Sequence, residues 1–268
     1  MKRDVATSKL VKPKVADKDT SLSIVKAAAI LREIGNSSDG RTLTEVVAAT
    51  GISTTVCFRM LSTLEAERFV DKEAATGRYK LGFGLIALTR HTLHQQLIGT
   101  LTAKMLPDAA RELSDVALLM VPDGEKALCI DRKEGDAPVI SLGTHIGSRQ
   151  PMHLGGGPFA ILAFSPDDFV DEYLARPLEK KTSRSVVDPK KIRARINEAR
   201  ARGYTVGDED IYEHLVAIGV PIFGPNGALL GSISVGGVKP RYTEKRIKEV
   251  GEWLIAKARS LNHRGMQS

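Results

Sequence analysis

TTVCFRMLSTLEAERFV, residues 54–70, carries two different faces on one helical period. Cys57, Met60, Leu61 and Leu64 recur at i, i+3, i+4 and i+7, the spacing of a stripe that turns inward. The other side holds Thr54, Thr55, Phe58, Arg59 and Ser62, where a helix that only had to stay in water would carry Glu and Lys. Arginine grips a phosphate or a guanine edge with two bonds, Thr and Ser bond phosphates or bases, and an exposed Phe packs on a thymine methyl. Ser53 stands at the N-cap, and a helix start lined by hydroxyls suits a phosphate. Either this is an ordinary amphipathic helix, or its second face reads DNA. The flanking sequence decides between them.

Upstream, TLTEVVAATG forms a short helix that starts from a cap at Thr42 or Thr44 and stops at Gly51, which readily takes positive φ. Two helices around a tight Gly-containing turn make a helix-turn-helix. Before it, SLSIVKAAAILREIGN is helical, with Ile24, Ala28 and Leu31 as its stripe and Gly35-Asn36 as its stop. After it, RFVDKEAATGRYKLG places strands at Phe69-Val70 and Tyr79-Lys80-Leu81 around a loop ending at Gly77. Three helices and a hairpin make a winged helix-turn-helix over residues 21–82, and DNA reading is preferred.

The bulk numbers agree without deciding. The chain has 268 residues, 42% apolar and 26% charged, enough for two domains of ordinary composition. The net charge of +7 points to a polyanionic partner, but it is spread out: six Lys/Arg against three acids in residues 1–20, nine against seven in 21–90, and 24 against 22 beyond. Residues 1–20 read as a disordered basic tail. No apolar run long enough for a membrane span and no apolar leader is present, so a cytoplasmic protein is expected. The two cysteines, Cys57 and Cys129, form no CxxC pair, which excludes a disulfide framework and a thiolate zinc site. Cys57, on the apolar side of its helix, is read as packing.

Residues 83–100 read as a linker helix, with His91 and His94 at surface or interface positions, and residues 101–115 as another helical segment with Pro107 at a start or kink. The remainder, 101–268, alternates strands and helices in an α+β pattern. Hairpins turn at Pro122-Asp123-Gly124 and at Pro225-Asn226-Gly227, with a strand in 137–147 and a short helix in 157–164. A helix capped by Asp188, begun by Pro189 and ended by Gly203 follows, and a closing helix carries Ile247, Val250, Leu254 and Leu261 on one stripe.

The order of these elements, from about Ser21 to Asn262, resembles the IclR family of bacterial transcriptional regulators. TGISTTVCFRMLSTLEAERFV and ATGRYKLG carry the likeness: Arg59, Leu61, Leu64 and Glu65 match the family's helix, and Thr76, Gly77, Arg78, Tyr79, Leu81 and Gly82 match its wing. Thr54 stands where the family often has Lys, and Phe58 where it often has His. The resemblance implies a double-stranded DNA operator contacted by Ser53, Thr54, Thr55, Phe58, Arg59, Ser62 and Arg78. It also implies a C-terminal GAF-like domain that binds a small carboxylate effector, and homodimers that pair into tetramers.

RQPMHLGGGPFAILAF is the candidate effector segment. Gly155-Gly156-Gly157 before Pro158 bares backbone N–H groups at a helix start, where the dipole favours an anion. The same glycines also suit a tight loop that lets two elements approach closely. Met152 and Phe159 are candidate apolar wall, and His153 a candidate donor to a carboxylate. By resemblance the pocket also takes Asp208, Ala217, Ser234 and Gly236. Ala217 stands in place of a family Cys and Gly236 in place of a second Ser, which implies a roomier, less polar pocket and an aromatic or branched acid.

An enzyme reading finds no support. GSISVG has Ser232 where GxSxG needs Gly, and GxxxxGK[ST], HExxH and a strand-borne GxGxxG are absent. His214 near Asp208, Glu209 and Asp210, with His145 and His153, matches no metal-ligand spacing, so no cofactor or metal is expected. Two binding alternatives stay open: a GAF-type sensor that docks an acidic protein through the basic helix bearing Lys190, Lys191, Arg193 and Arg195, and nucleic-acid binding without sequence preference.

Overall fold

The computed structural model describes residues 20–89, 93–137, 143–224 and 227–264. Nearly all of the basic tail, His91, residues 138–142 of the strand expected in 137–147 and the Pro225-Asn226 turn lie outside them. The chain divides into two compact units, residues 1–92 and 93–268.

The first unit runs α1 (Leu22–Gly35), α2 (Leu43–Thr50), α3 (Thr54–Ala66), β1 (Val70–Lys72), β2 (Tyr79–Leu81) and α4 (Gly84–Thr89). Ile30, Ile34, Val46, Cys57, Leu61 and Tyr79 close its core. The α1 stripe differs from the expected one: Ile24 is 71% exposed, and Ile30 and Ile34 are the buried pair. Apolar residues occur around most of α1, so periodicity alone did not single out the buried face. Thr42 caps α2 in a capping box, its side chain accepting from the Glu45 N–H at 3.3 Å while Glu45 Oε2 accepts from the Thr42 N–H at 2.8 Å. Gly51 ends α2 at φ 67° and sets the turn into α3. The wing gains a third edge where Arg41 and Tyr79 exchange backbone bonds of 2.9 and 2.7 Å.

The second unit begins with α5 (Leu93–Leu113), which passes through Pro107 as a continuous helix and so spans the expected boundary at residue 100. Then come β3 (Val116–Asp123), β4 (Lys126–Lys133), β5 (Arg149–Pro151), α6 (Gly157–Phe164), α7 (Asp167–Leu174), α8 (Pro189–Arg202), β6 (Thr205–Asp208), β7 (Leu215–Phe223), β8 (Leu229–Val238) and α9 (Glu244–Arg264). The residues described in 143–147 are bends and turns rather than strand. The six strands form one antiparallel sheet in the order β5-β4-β3-β8-β7-β6.

Alternation along the central strands gives the sheet two unlike faces. Val216, Ile218, Val220, Ile222, Ile233 and Val235 pack against α5 and α9, with Val250 and Leu254 buried among them as the closing stripe requires. The opposite face carries small residues, Gly207, Ala217, Gly219, Ser232, Ser234 and Gly236, and α6 lies on it.

A buried carboxylate ties the two ends of this unit together. Asp115, 2% exposed, follows α5 and accepts from Arg241 Nη1 at 2.7 Å and from the Tyr242 hydroxyl at 3.0 Å. Burial pushes its carboxyl up, against the pull of the Tyr242 hydrogen bond and the two arginines Arg241 and Arg246. Asp115→Ala leaves Tyr242 without an acceptor in the interior and is expected to cost about 2–4 kcal/mol in urea unfolding, against about 1 kcal/mol for Tyr242→Phe. Equal small losses for both would show that the cluster holds nothing together.

Candidate functional site

The outer face of α3 is laid out as its periodicity requires. Ser53, Thr54, Thr55, Arg59 and Ser62 are exposed, and Phe58 is 52% exposed although apolar. Cys57, Leu61 and Leu64 are buried beneath them, with Met60 partly so. Among the described residues the Arg59 guanidinium has no ion-pair partner. Ser53 is the N-cap by backbone only: its carbonyl accepts from the Cys57 N–H at 2.9 Å, and its hydroxyl makes no capping bond. That hydroxyl and the first N–H groups of α3, which no helix satisfies internally, are open to an outside acceptor.

Arg78 is placed differently. Its guanidinium donates to the Gly40 carbonyl at 2.9 Å and to both oxygens of Glu45 at 3.1 and 3.2 Å. Glu45 is the N3 residue of the α2 capping box, so Arg78 fastens the wing to the first helix of the helix-turn-helix. The Arg78 contact lowers the Glu45 pKa, after the larger effect of the Thr42 N–H. The sequence motif showed an arginine on the wing; it did not show where that arginine points.

In the second unit a cavity of about 60 Å³ lies between the small-residue face of the sheet and the turn leading into α6. Gly155, Gly156, Gly157, Ala217, Ser234 and Gly236 all border it. Of the two readings of the triple glycine, the close approach is the one the structure displays. The turn approaches the sheet so closely that a Cβ on Gly207 would sit 2.4 Å from Gly155 and one on Gly219 would sit 2.4 Å from the Gly156 carbonyl. The carbonyls of this turn are held from below, Gly156 O by the Thr205 hydroxyl at 2.7 Å and Gly157 O by the Ser232 hydroxyl at 2.7 Å. The N–H groups that open α6 have no acceptor within the helix. Ser234 is 2% exposed and borders the cavity, and its hydroxyl makes no hydrogen bond among the described residues.

Four expected pocket residues lie elsewhere. Met152 is 0% exposed and Phe159 1%, both inside the core cluster between α6, α7 and α8. His153 has both ring nitrogens engaged: Nε2–H donates to the Glu179 carbonyl at 2.9 Å, so Nδ1 accepts from the Tyr173 hydroxyl at 2.9 Å. Burial pushes its pKa down and keeps the ring neutral, so it holds the loop after α7 rather than an effector carboxylate. Asp208 turns outward to Lys239 at 2.8 Å and Arg184 at 3.3 Å.

Asp210 takes the acidic place in the cavity wall. It is 3% exposed, and its oxygens accept from the Gly155 N–H at 2.9 Å and from Arg195 Nη2 at 3.2 Å. Burial raises its pKa, with the Arg195 charge and the Gly155 bond opposing. Glu209, with φ 57°, reverses the strand alternation between Asp208 and Asp210, and no residue type in that stretch announces such a turn. Ile211, Tyr212, Gln150 and Thr144 also border the cavity and were not foreseen; buried polar side chains beside a strand leave no periodic trace.

Gly236 and Ala217 face one another across β7 and β8 at the cavity wall, and a Cβ on Gly236 would lie 2.9 Å from the Ala217 methyl. Among the described residues no cluster of three His, Cys, Asp or Glu groups could hold a metal. Three of the six cations of α8 are paired within the fold: Arg193 with Asp167 and Asp171, Arg195 with Asp210, and Arg200 with Asp167. No described helix is by itself long and apolar enough to cross a membrane.

The family profile described as the bacterial transcriptional regulator IclR C-terminal domain matches residues 90–263, and that of the IclR helix-turn-helix domain matches residues 23–74. The HTH-type transcriptional regulator KipR of Bacillus subtilis is 29% identical over 231 residues, covering 86% of this chain and 91% of its own. The crystal structure of the Thermotoga maritima IclR superposes with a TM-score of 0.71 at 25% identity, covering 91% of this chain and 98% of that one. An IclR homologue from Microbacterium hydrocarbonoxydans, solved in complex with 4-hydroxybenzoate, superposes with a TM-score of 0.78 at 18% identity, covering 92% and 100%.

Gly219→Ala tests the close approach on which the cavity depends. Its methyl would fall 2.4 Å from a backbone oxygen, which cannot rotate away. A loss of about 2–4 kcal/mol in thermal or urea unfolding of the full chain is expected. Unchanged stability would mean that the turn is not seated on the sheet.

Proposed function

The chain belongs to the IclR family of bacterial transcriptional regulators, and we propose that it reads a specific operator through α3 and answers to a small organic acid seated beneath α6. It is a DNA-binding transcriptional regulator with a C-terminal ligand-binding domain, and its relatives are regulators rather than enzymes. The observation that carries the operator reading is the outer face of α3, where Arg59, without an ion-pair partner among the described residues, and an exposed Phe58 stand with four hydroxyls, three of them at the helix start. Direct base readout needs such a set of side chains on an α-helix presented to the major groove. In a homodimer, two copies of α3 would read half-sites about one turn, roughly 34 Å, apart or a multiple of it; pairing of dimers into tetramers would extend the same symmetry.

Three features support an acid as effector. The N–H groups at the start of α6, apart from that of Gly155, which donates to Asp210, favour a carboxylate. Ser234 offers a free hydroxyl, and the flanking wall of Val116, Leu118 and Met120 is apolar. The structural relative from Microbacterium hydrocarbonoxydans holds 4-hydroxybenzoate, which supports an acid as the kind of ligand to try here. Size refines the class. An apolar cavity of ~150 Å³ takes benzene, so the cavity of about 60 Å³ admits a short or branched acid directly and an aromatic one only after the Ile211–Tyr212 loop moves outward. The acid then acts by linkage: it binds one state of the dimer more tightly and shifts operator affinity by that difference.

The protein-docking alternative relied on the basic face of α8, where Arg193 and Arg195, two of its four cations, are already paired within the fold. Genomic fragments selected by the purified protein should share a palindrome, and Arg59→Ala should weaken binding to it by about 1–3 kcal/mol while leaving random duplex nearly unaffected. An equal loss on both duplexes makes Arg59 a phosphate contact, and selection without any common sequence contradicts the operator reading.

A further inference from the structure

We infer that the short turn after β8 relays the state of the cavity to α5, with Lys239 gripping the loop that borders the cavity and Arg241 gripping the end of α5. The inference rests on the proposed reading of that cavity as the effector pocket. Lys239 is in this account a positioning residue, with no contact to the acid itself.

The loop 209–214 supplies Asp210, Ile211 and Tyr212 to the cavity wall, and Leu215 follows it there. Its two stems, Glu209 and His214, are both left-handed, at φ 57° and 64°, although neither is glycine. Such backbone persists only where surrounding contacts over-determine it. Here the Glu209 N–H donates to the Leu215 carbonyl at 2.8 Å, and the His214 N–H to Glu209 Oε1 at 3.0 Å. Lys239 ties the same stems from outside the loop. Its N–H donates to the His214 carbonyl at 2.8 Å, and its ammonium to Asp208 at 2.8 Å and to Glu209 Oε2 at 2.5 Å. The loop cannot swing at its stems without carrying Lys239 along or breaking these bonds.

Lys239 opens a single 3₁₀ turn, Lys239–Arg241, closed by the Tyr242 N–H on the Lys239 carbonyl at 2.9 Å and stiffened by Pro240, whose ring fixes φ. A displacement of Lys239 therefore reaches Arg241 and Tyr242 instead of being absorbed between them. Those two hold the buried Asp115 carboxylate. Asp115 lies just behind the cavity wall, since a Cβ on Gly237, which borders the cavity, would meet its Oδ1 at 2.5 Å. In the first turn of α9, Arg246 donates at 2.6 Å to the carbonyl of Leu113, the last residue of α5. From this grip α5 runs back to Leu93, where the chain passes to the first unit. Arg184 supplies the contrast. It reaches Asp208 and Glu209 at 3.3 and 3.4 Å from the segment before α8, which has no part in the turn.

The full chain, its selected operator and a panel of monocarboxylates from propanoate to 4-hydroxybenzoate test the relay. With the tightest-binding acid of the panel, operator affinity is measured with and without saturating acid, and the ratio is compared between variants. Lys239→Met should bind the acid as tightly as the wild type while the ratio falls from a wild-type factor of the order of 5–150 towards one. Lys239→Arg should restore most of the factor, and Arg241→Met, which cuts the relay at its other end, should lower it likewise. Arg184→Met removes a cation from the same carboxylates and should leave the factor unchanged. Unfolding temperatures verify that each variant folds. A wild-type factor in Lys239→Met, an equal fall in Arg184→Met, or loss of acid binding in Lys239→Met overturns the relay while leaving the pocket standing. A wild-type protein that binds no acid of the panel, or binds one without any change in operator affinity, overturns the effector reading and the relay with it.

Discussion

The second unit depends on backbone lying against backbone. Gly155, Gly156 and Gly157 rest on Gly207 and Gly219 at a separation that a single methyl would violate, and the Thr205 and Ser232 hydroxyls rise from the sheet to hold the turn's carbonyls. This contact has three consequences. It seats α6 on the small-residue face, with the helix N–H groups at the cavity. It brings Asp210 to the Gly155 N–H, which fixes the loop that carries Ile211 and Tyr212. It also leaves beside the turn a space that side chains do not fill, bordered by Ser234 and Gly236. The large side chains of β7 and β8 are thereby committed to the other face, where α5 and α9 supply the apolar core.

The first unit has a different economy of contacts. Its core is small, and polar fastenings secure its geometry: the Thr42–Glu45 capping box, the Arg78 clamp between wing and α2, and the Arg41–Tyr79 bridge. These act on the elements around α3 and leave its outer face uncommitted. That division suits a reading surface, since groups already paired within the protein cannot also bond a base edge.

Sequence reasoning recovered what has a period or a local signature. The helix-turn-helix, the wing, both long hairpins, the Asp188 cap and the Gly203 stop are all visible in residue spacing and turn chemistry. Long-range placement was not. Ile24 satisfied the helical spacing as well as Ile30 does, and packing chose between them. His153 and Asp208 belong to residue types suited to an effector, yet Tyr173 with the Glu179 carbonyl claims the first and Lys239 with Arg184 the second. Asp210 enters the wall through a left-handed Glu209, a conformation that no glycine or asparagine marks. The triple glycine was legible as special, and the close approach it permits is what the sheet beneath it requires.

The central claim is that the acid site and the DNA-reading face are energetically coupled, and reciprocity measures that coupling most directly. Operator affinity would be determined with and without a saturating acid, and the affinity for the acid with and without saturating operator, at one salt concentration. Thermodynamic linkage requires the two ratios to be equal, and the account predicts equal factors well away from one, of the order of 5–150-fold. An acid that binds the free protein and the operator complex with the same affinity would contradict it.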